Sequence, residues 1–258
     1  MSVTVVVPWR PGCPHRAAAW EWVSGWYAQA HPDWQVITTG DGHTSGPWCK
    51  AAAVAAALPQ ARGDVLVVAD ADVICAGILA AVDAVASGIH PWAMPHYAVY
   101  RLTPAATTAV YAGQPFPDTR QPRSLLRGHI SEIHRGVPGG GIVVLPRGGW
   151  DLVPLDARFT GWGQEDLAWG WALTRVLGGP WRGTSPLLHL WHPPQQRSTR
   201  TAGSTESMRL WNRYRRAYTA AEVMLLMAEP GARPPQGNAS PDADGNAVLP
   251  LERPEPSS

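Results

Sequence analysis

Two carboxylates separated by one small residue, Asp70-Ala71-Asp72, close a run of buried-strand character, Val65-Leu66-Val67-Val68-Ala69. Alternate positions on an extended chain can turn one carboxylate toward a divalent ion and the other toward a ribose, or both toward the ion. Oxygen donors suit Mg2+ or Mn2+, ions that bridge the phosphates of a nucleoside diphosphate and take up charge as a leaving group departs. The same pair could cap the helix that follows and satisfy its free amides. Its place at the carboxyl end of a strand, where open α/β sheets hold their ligands, favours the chemical reading.

A second acidic pair ends the stretch Phe159-Thr160-Gly161-Trp162-Gly163-Gln164-Glu165-Asp166. At the start of a predicted helix both acids meet its positive end. Alternatively, one carboxylate holds acceptor hydroxyls while the other deprotonates the attacking hydroxyl, with Trp162 offering an apolar face to a sugar ring. Gly139-Gly140-Gly141 precedes a strand, allowing either close backbone approach to a ligand or a tight turn. In His189-Leu190-Trp191-His192-Pro193-Pro194, His192 opens a loop and could complete a metal site, shifting preference from Mg2+ toward Mn2+. His189 is expected to be packed. Asp41, in Gly40-Asp41-Gly42, could accept hydrogen bonds from a base or ribose, and Arg10, in Pro8-Trp9-Arg10, could meet a phosphate; turn formation explains both places equally well.

The elements that must position these residues follow a βαβ rhythm. Short β-branched runs predict strands near Thr4–Val7, Gln35–Thr38, Val65–Ala69, Tyr97–Leu102 and Gly141–Pro146. Ala-rich segments predict helices over Arg16–Ala30, Pro47–Leu58, Gly77–Ser87 and Glu165–Leu177. The fold class expected is α/β, a single domain with a Rossmann-like, mostly parallel central sheet and helices on both faces. Residues 113–138 lack periodicity and read as a long loop. From Glu229 to Ser258 the Pro, Gly, Asn, Asp and Ser content predicts a disordered tail.

The 258 residues, 45% hydrophobic, suffice for one full core. A formal charge of +1 and a pI near 7.8 disfavour a nucleic-acid or anionic-membrane partner. Arginine supplies 20 of the 21 basic residues, leaving Lys50 as the single lysine; the skew matches the Ala, Gly and Pro content and reads as compositional. Cys13, Cys49 and Cys75 have no zinc-like spacing. With no leader-like amino terminus and no apolar run of about 20 residues, a soluble cytoplasmic protein is expected. Most of the 14 Trp, including Trp20, Trp22 and Trp26, are expected in the core, with Trp162 and Trp191 nearer a sugar.

The order Val7-Pro8-Trp9-Arg10, Gly40-Asp41-Gly42, Asp70-Ala71-Asp72, Gly139-Gly140-Gly141, Gly161 to Asp166 and His192-Pro193-Pro194 resembles the GT-A glycosyltransferases over about residues 3–195. The carboxyl half is similar to the galactosyltransferase-type domain of beta-1,4-galactosyltransferases and chondroitin-polymerase-like enzymes. The resemblance implies a GT-A domain over 1–228, with a nucleotide-sugar half at 1–112 and an acceptor half at 139–228. It implies metal-dependent transfer of a Gal, GalNAc or Glc type sugar from a UDP-sugar to a glycan, protein or small-molecule acceptor, with inversion. Pro8, Arg10, Asp41, Asp70 and Asp72 would bind the donor nucleotide. Asp72 and His192, with Asp70, would hold Mn2+ or Mg2+. Gly140, Gly141, Trp162, Gly163 and Glu165 would bind the acceptor, and Asp166 would be the base. Gln164 stands where the family usually has glycine, and Pro193-Pro194 departs from its pattern after the histidine. A nucleotidyltransferase acting on sugar phosphates would be expected to carry a Gly-rich basic loop, which Pro8-Trp9-Arg10-Pro11-Gly12 matches poorly. A non-catalytic carbohydrate-binding protein has no need of Asp70, Asp72 and Asp166 together.

Overall fold

A computed structural model describes residues 2–161, 163–193 and 204–234. Its centre is an eight-stranded sheet in the order β2-β1-β3-β7-β5-β8-β4, with β6 pairing β5. The strands are β1 (Val3–Pro8), β2 (Gln35–Thr39), β3 (Val65–Ala69), β4 (Val73–Ile74), β5 (Ala93–Leu102), β6 (Ile130–Arg135), β7 (Ile142–Pro146) and β8 (Trp181–His189). The pairings β1·β2, β1·β3 and β5·β8 are parallel, and β7 is antiparallel to both β3 and β5. Five of the eight strands therefore point one way, against β4, β6 and β7.

Period-two alternation divides the buried strand residues between two cores. Val5, Val7, Val67 and Ala69 face one layer, where Ala19, Val23 and Tyr27 of α1 (Pro14–Ala30) pack. Val6, Leu66, Val68 and Leu145 face the other, against α2 (Lys50–Ala57) and α7 (Glu165–Val176). After Lys50 the sequence of α2, AAAVAAA, has only Ala and one Val, so its backbone can lie close on the sheet. The remaining helices are α3 (Ile78–Ala86), α4 (Pro104–Tyr111), α5 (Arg123–Leu126), α6 (Arg147–Leu152), α8 (Ser204–Tyr214) and α9 (Ala220–Met227).

The expected strands and helices are present, with β5 beginning earlier, at Ala93. Residues 113–138 are not all loop: they contain the turn of helix α5 and the edge strand β6, whose Ile130-Ser131-Glu132-Ile133 buries only Ile130 fully. The segment from Glu229 is packed at its start. Glu229 pairs with Arg158 and Arg213 at 2.5 Å each, and Ala232 is buried and accepts from the Ala157 amide. Residues 235–258 lie outside the described residues. Tryptophans are core residues at Trp92, Trp150 and Trp169, and Trp20, Trp22 and Trp26 pack partly buried against the core.

The topology gathers the chemistry at one edge. β1, β2 and β3 end there, followed by Arg10, Asp41 and Asp70. Antiparallel β7 begins there, since Ala69 pairs with Ile142 and the Asp70 amide bonds the Gly141 carbonyl at 2.9 Å. The end of β8 joins them through β4, where Val73 pairs with His189 and the Leu190 amide bonds the Asp72 carbonyl at 2.9 Å.

Candidate active site

Two charge clusters occupy this edge. In the first, the buried carboxylate of Asp72 has His192 Nε2 3.2 Å from Oδ2 and His189 Nε2 3.7 Å from Oδ1. One ligand atom from each of the three residues lies within 4.8 Å of the others. Each imidazole has its Nδ1 2.8 Å from a backbone carbonyl, that of Leu190 for His189 and of Pro193 for His192. A carbonyl accepts only, so Nδ1 carries a proton in each ring and Nε2 is the nitrogen turned toward Asp72. His192 Nε2 is buried without a hydrogen-bond partner. Burial lowers the His192 pKa against the opposing pull of Asp72, keeping the ring neutral. Two arginines complete the cluster: Arg16, half exposed at 49%, has Nε 3.3 Å from Asp72 Oδ2, and Arg101 Nη1 lies 3.2 Å from His189 Nε2. Burial would raise the Asp72 carboxyl, but His189, Arg16, His192 and Arg101 outweigh it and hold it below the usual range.

The donor set fits a borderline divalent ion. One carboxylate and two imidazole nitrogens suit Mn2+ or a later first-row metal better than Mg2+, which prefers oxygen ligands. His189 thus belongs to the cluster rather than to the packing, and it is joined to Asp72 through the β4·β8 ladder.

The second cluster centres on Lys50, the first residue of α2. Its Nζ lies 2.8 Å from Asp70 Oδ1 and 3.0 Å from Asp166 Oδ1. The lysine side chain is 9% exposed, those of Asp70 and Asp166 36% and 32%. Burial lowers the Lys50 pKa, but the charges of Asp166 and Asp70 prevail and raise it, so the ammonium is permanent. Burial pushes the Asp166 carboxyl up, aided by Asp70 and opposed by Lys50. Glu165 is pushed up to about 7 by burial and then by the Asp166 charge. Asp70, expected beside the metal, is turned instead to Lys50, and the three-residue metal cluster does not include it.

The glycines shape this corner. Gly139, at φ +91, sits so close to α7 that a Cβ would meet the Asp166 carbonyl oxygen. Gly170 on α7 is equally tight against Pro138, and a Cβ at Gly140 would stand 3.1 Å from Asp166 Oδ2. The close approach these glycines permit is therefore to α7, with Gly141 against Leu187 of β8. Gln164 takes the left-handed conformation, φ 68, as the N-cap of α7, with its Oε1 buried and unpartnered. A side chain in that region costs on the order of 1 kcal/mol, which glycine would avoid.

Arg10 and Asp41 satisfy each other. The guanidinium donates to Asp41 at 2.5 and 3.3 Å and to the Gly46 carbonyl at 2.8 Å. Asp41 also accepts from the amides of Cys49 and His43, and its side chain is 0% exposed. Burial would raise its carboxyl, but these bonds hold it below the usual range. In the structure Asp41 and Arg10, expected to meet a base or ribose and a phosphate, are engaged with each other. Pro8 is a buried strand residue beside Thr39. Gly163, at φ 110, is half-buried with open space where a Cβ would stand. Trp162 lies outside the described residues. Trp191 donates its amide to Thr107 Oγ1 at 2.9 Å and, with His15 and Tyr111, lines a cavity of about 270 Å3.

Lys50, His189 and Arg16 were not singled out from sequence. For Lys50 the available signal was its solitude among 20 arginines. Among the described residues no helix is long and apolar enough to cross a membrane, and Cys13, Cys49 and Cys75 are free thiols.

No family model and no curated protein matches this chain. Among solved structures, the chain is similar to glucosyl-3-phosphoglycerate synthase from Mycobacterium tuberculosis in complex with Mn2+, UDP and glucosyl-3-phosphoglycerate, at 15% identity, TM-score 0.43, covering 80% of this chain and 77% of that one. A Drosophila beta-1,4-galactosyltransferase 7 mutant in complex with manganese, UDP-Gal and xylobiose is similar at 12% identity, TM-score 0.40, over 79% and 75% of the two chains. CMP:2-keto-3-deoxy-manno-octonic acid synthetase with CTP follows at 14% identity, TM-score 0.32, over 81% and 97%. With likenesses this loose, the reading of function rests on the side chains of this chain.

Proposed function

We propose that this chain is a metal-dependent GT-A glycosyltransferase that moves a Gal, GalNAc or Glc type sugar from a UDP-sugar to an acceptor hydroxyl with inversion. The observation that carries the proposal is the juxtaposition, on one sheet edge, of a carboxylate-diimidazole cluster and a separate pair of half-buried carboxylates, Asp70 and Asp166, bridged by Lys50. Asp72, His189 and His192 would hold Mn2+, the ion supplying a Lewis acid for the leaving diphosphate. Asp166, on the first turn of α7, takes the proton of the acceptor hydroxyl as its oxygen bonds the anomeric carbon and the bond from that carbon to the UDP oxygen breaks. Glu165, with its carboxyl near the neutral range, holds an acceptor hydroxyl as donor or acceptor of a hydrogen bond. The nucleotide-sugar half falls within 1–112 and the acceptor half within 139–228, joined by the sheet. A cytoplasmic setting accords with the three free thiols.

The test is a donor panel with Mn2+, Mg2+ or chelator, comparing wild type with Asp72→Ala and Asp166→Ala. Metal-dependent donor binding, lost in the first variant and kept in the second, supports the assignment. Absence of nucleotide binding under every condition refutes it.

A further inference from the structure

Lys50 stands where neither its helix nor its burial favours it. A cation at the first position of a helix meets the positive end of the dipole, and an ammonium 9% exposed has lost most of its water. Both costs are offset by the carboxylates of Asp70 and Asp166, which it contacts, with the Glu165 charge adding to them. The lysine grips one oxygen of Asp166, Oδ1 at 3.0 Å, while Oδ2 lies over Gly140, where a Cβ would approach to 3.1 Å. Glycine there leaves Oδ2 uncovered.

We propose that Lys50 is a positioning residue that fixes the Asp166 carboxylate by Oδ1, so that Oδ2, above Gly140, is the oxygen that receives the acceptor proton. This rests on the reading of Asp166 as the base. The bond to Lys50 stops the carboxylate from rotating, as the orienting member of a catalytic triad does for its base. It also sets basicity. Asp166 faces Lys50 from α2, Asp70 from the end of β3 and Glu165 from its own helix, while the Gly139-Gly140 backbone adds no charged side chain. Burial and the Asp70 charge make the carboxylate more basic, and the ammonium of Lys50 opposes them.

The experiment compares wild type, Lys50→Met, Lys50→Arg and Gly140→Ala in Mn2+-dependent turnover of the UDP-sugar found in the donor panel. Thermal melts check that each variant folds. For Lys50→Met the expected result is a kcat reduced about 10- to 100-fold with donor KM within about threefold. The acidic limb of its pH-rate profile moves up by about one pH unit or more. Lys50→Arg restores part of the rate. Gly140→Ala, which leaves the Lys50–Asp166 bond in place, also lowers kcat by covering Oδ2. An unmoved pH limb in a folded, active Lys50→Met overturns the proposal, as does a Gly140→Ala enzyme with wild-type kcat. A wild type without turnover of any UDP-sugar overturns the glycosyltransferase reading itself, a distinct result.

Discussion

His96 on β5 should make the protein sensitive to acid. Its side chain is 0% exposed and neither ring nitrogen has a hydrogen-bond partner. Burial first, then the charge of Arg182, pushes its pKa down to about 4. In an unfolded chain the same ring titrates near 6.5. Between these values the unfolded state binds a proton that the native state refuses, so stability falls as pH falls. Linkage with these two values gives a loss of about 2 kcal/mol by pH 5 and about 3 kcal/mol by pH 4, relative to neutral pH. His96→Leu removes the titration and places an apolar side chain of similar size beside Gly136 and Gly141. Urea denaturation of wild type and variant at pH 7, 6, 5 and 4 isolates the effect, because the carboxylates titrate in both proteins and cancel in the difference. The variant's advantage should grow by about 2 kcal/mol from pH 7 to pH 5. Parallel stability curves across that range would refute the reasoning, showing that the ring is protonated or hydrated in the native state.

Three further outcomes follow from the site. His189→Ala should weaken Mn2+ binding about as much as His192→Ala, by roughly 10- to 100-fold in isothermal titration, and Asp70→Asn should leave it within about threefold. Arg10→Ala leaves the Asp41 carboxylate buried without its counter-charge and should cost about 3 kcal/mol at pH 7 by chemical denaturation, with much of the loss recovered by adding Asp41→Asn. Gln164→Gly relieves the left-handed N-cap and should raise stability by about 1 kcal/mol, while Gln164→Val should lower it by about as much in the same assay.

Where residues are neighbours in sequence, the fold was readable. β1 opens with a β-branched run and β3 is an unbroken buried apolar one, directly followed by Asp70-Ala71-Asp72. β4, β6 and β8 were not readable: the first has two residues, the second is an edge strand with a single fully buried residue, and in the third Arg182-Gly183-Thr184-Ser185-Pro186 interrupts the apolar run. The site failed where its contacts span long stretches of chain. Lys50 meets Asp166 across 116 residues, and nothing local in KAAAVAAA announces a charge pair. His189 was read as packing because its place beside Asp72 depends on the β4·β8 register. Arg10 and Asp41, each plausible as a ligand contact alone, are partners across 31 residues, a pairing that neither local sequence announces. The acidic pair at Glu165 and Asp166 was legible because helix start, turn glycines and carboxylates are adjacent.

The pairing of Lys50 has a practical side. The chain carries one ε-amine, and it is locked between two carboxylates behind nine-tenths of its shell. Acylating reagents, aldehydes and amine-coupled supports therefore meet a shielded ε-amine, and none of the arginines that make up the rest of the basic residues replaces it as a coupling point. Any ε-amide that does form reports that the corner holding Asp70 and Asp166 has opened.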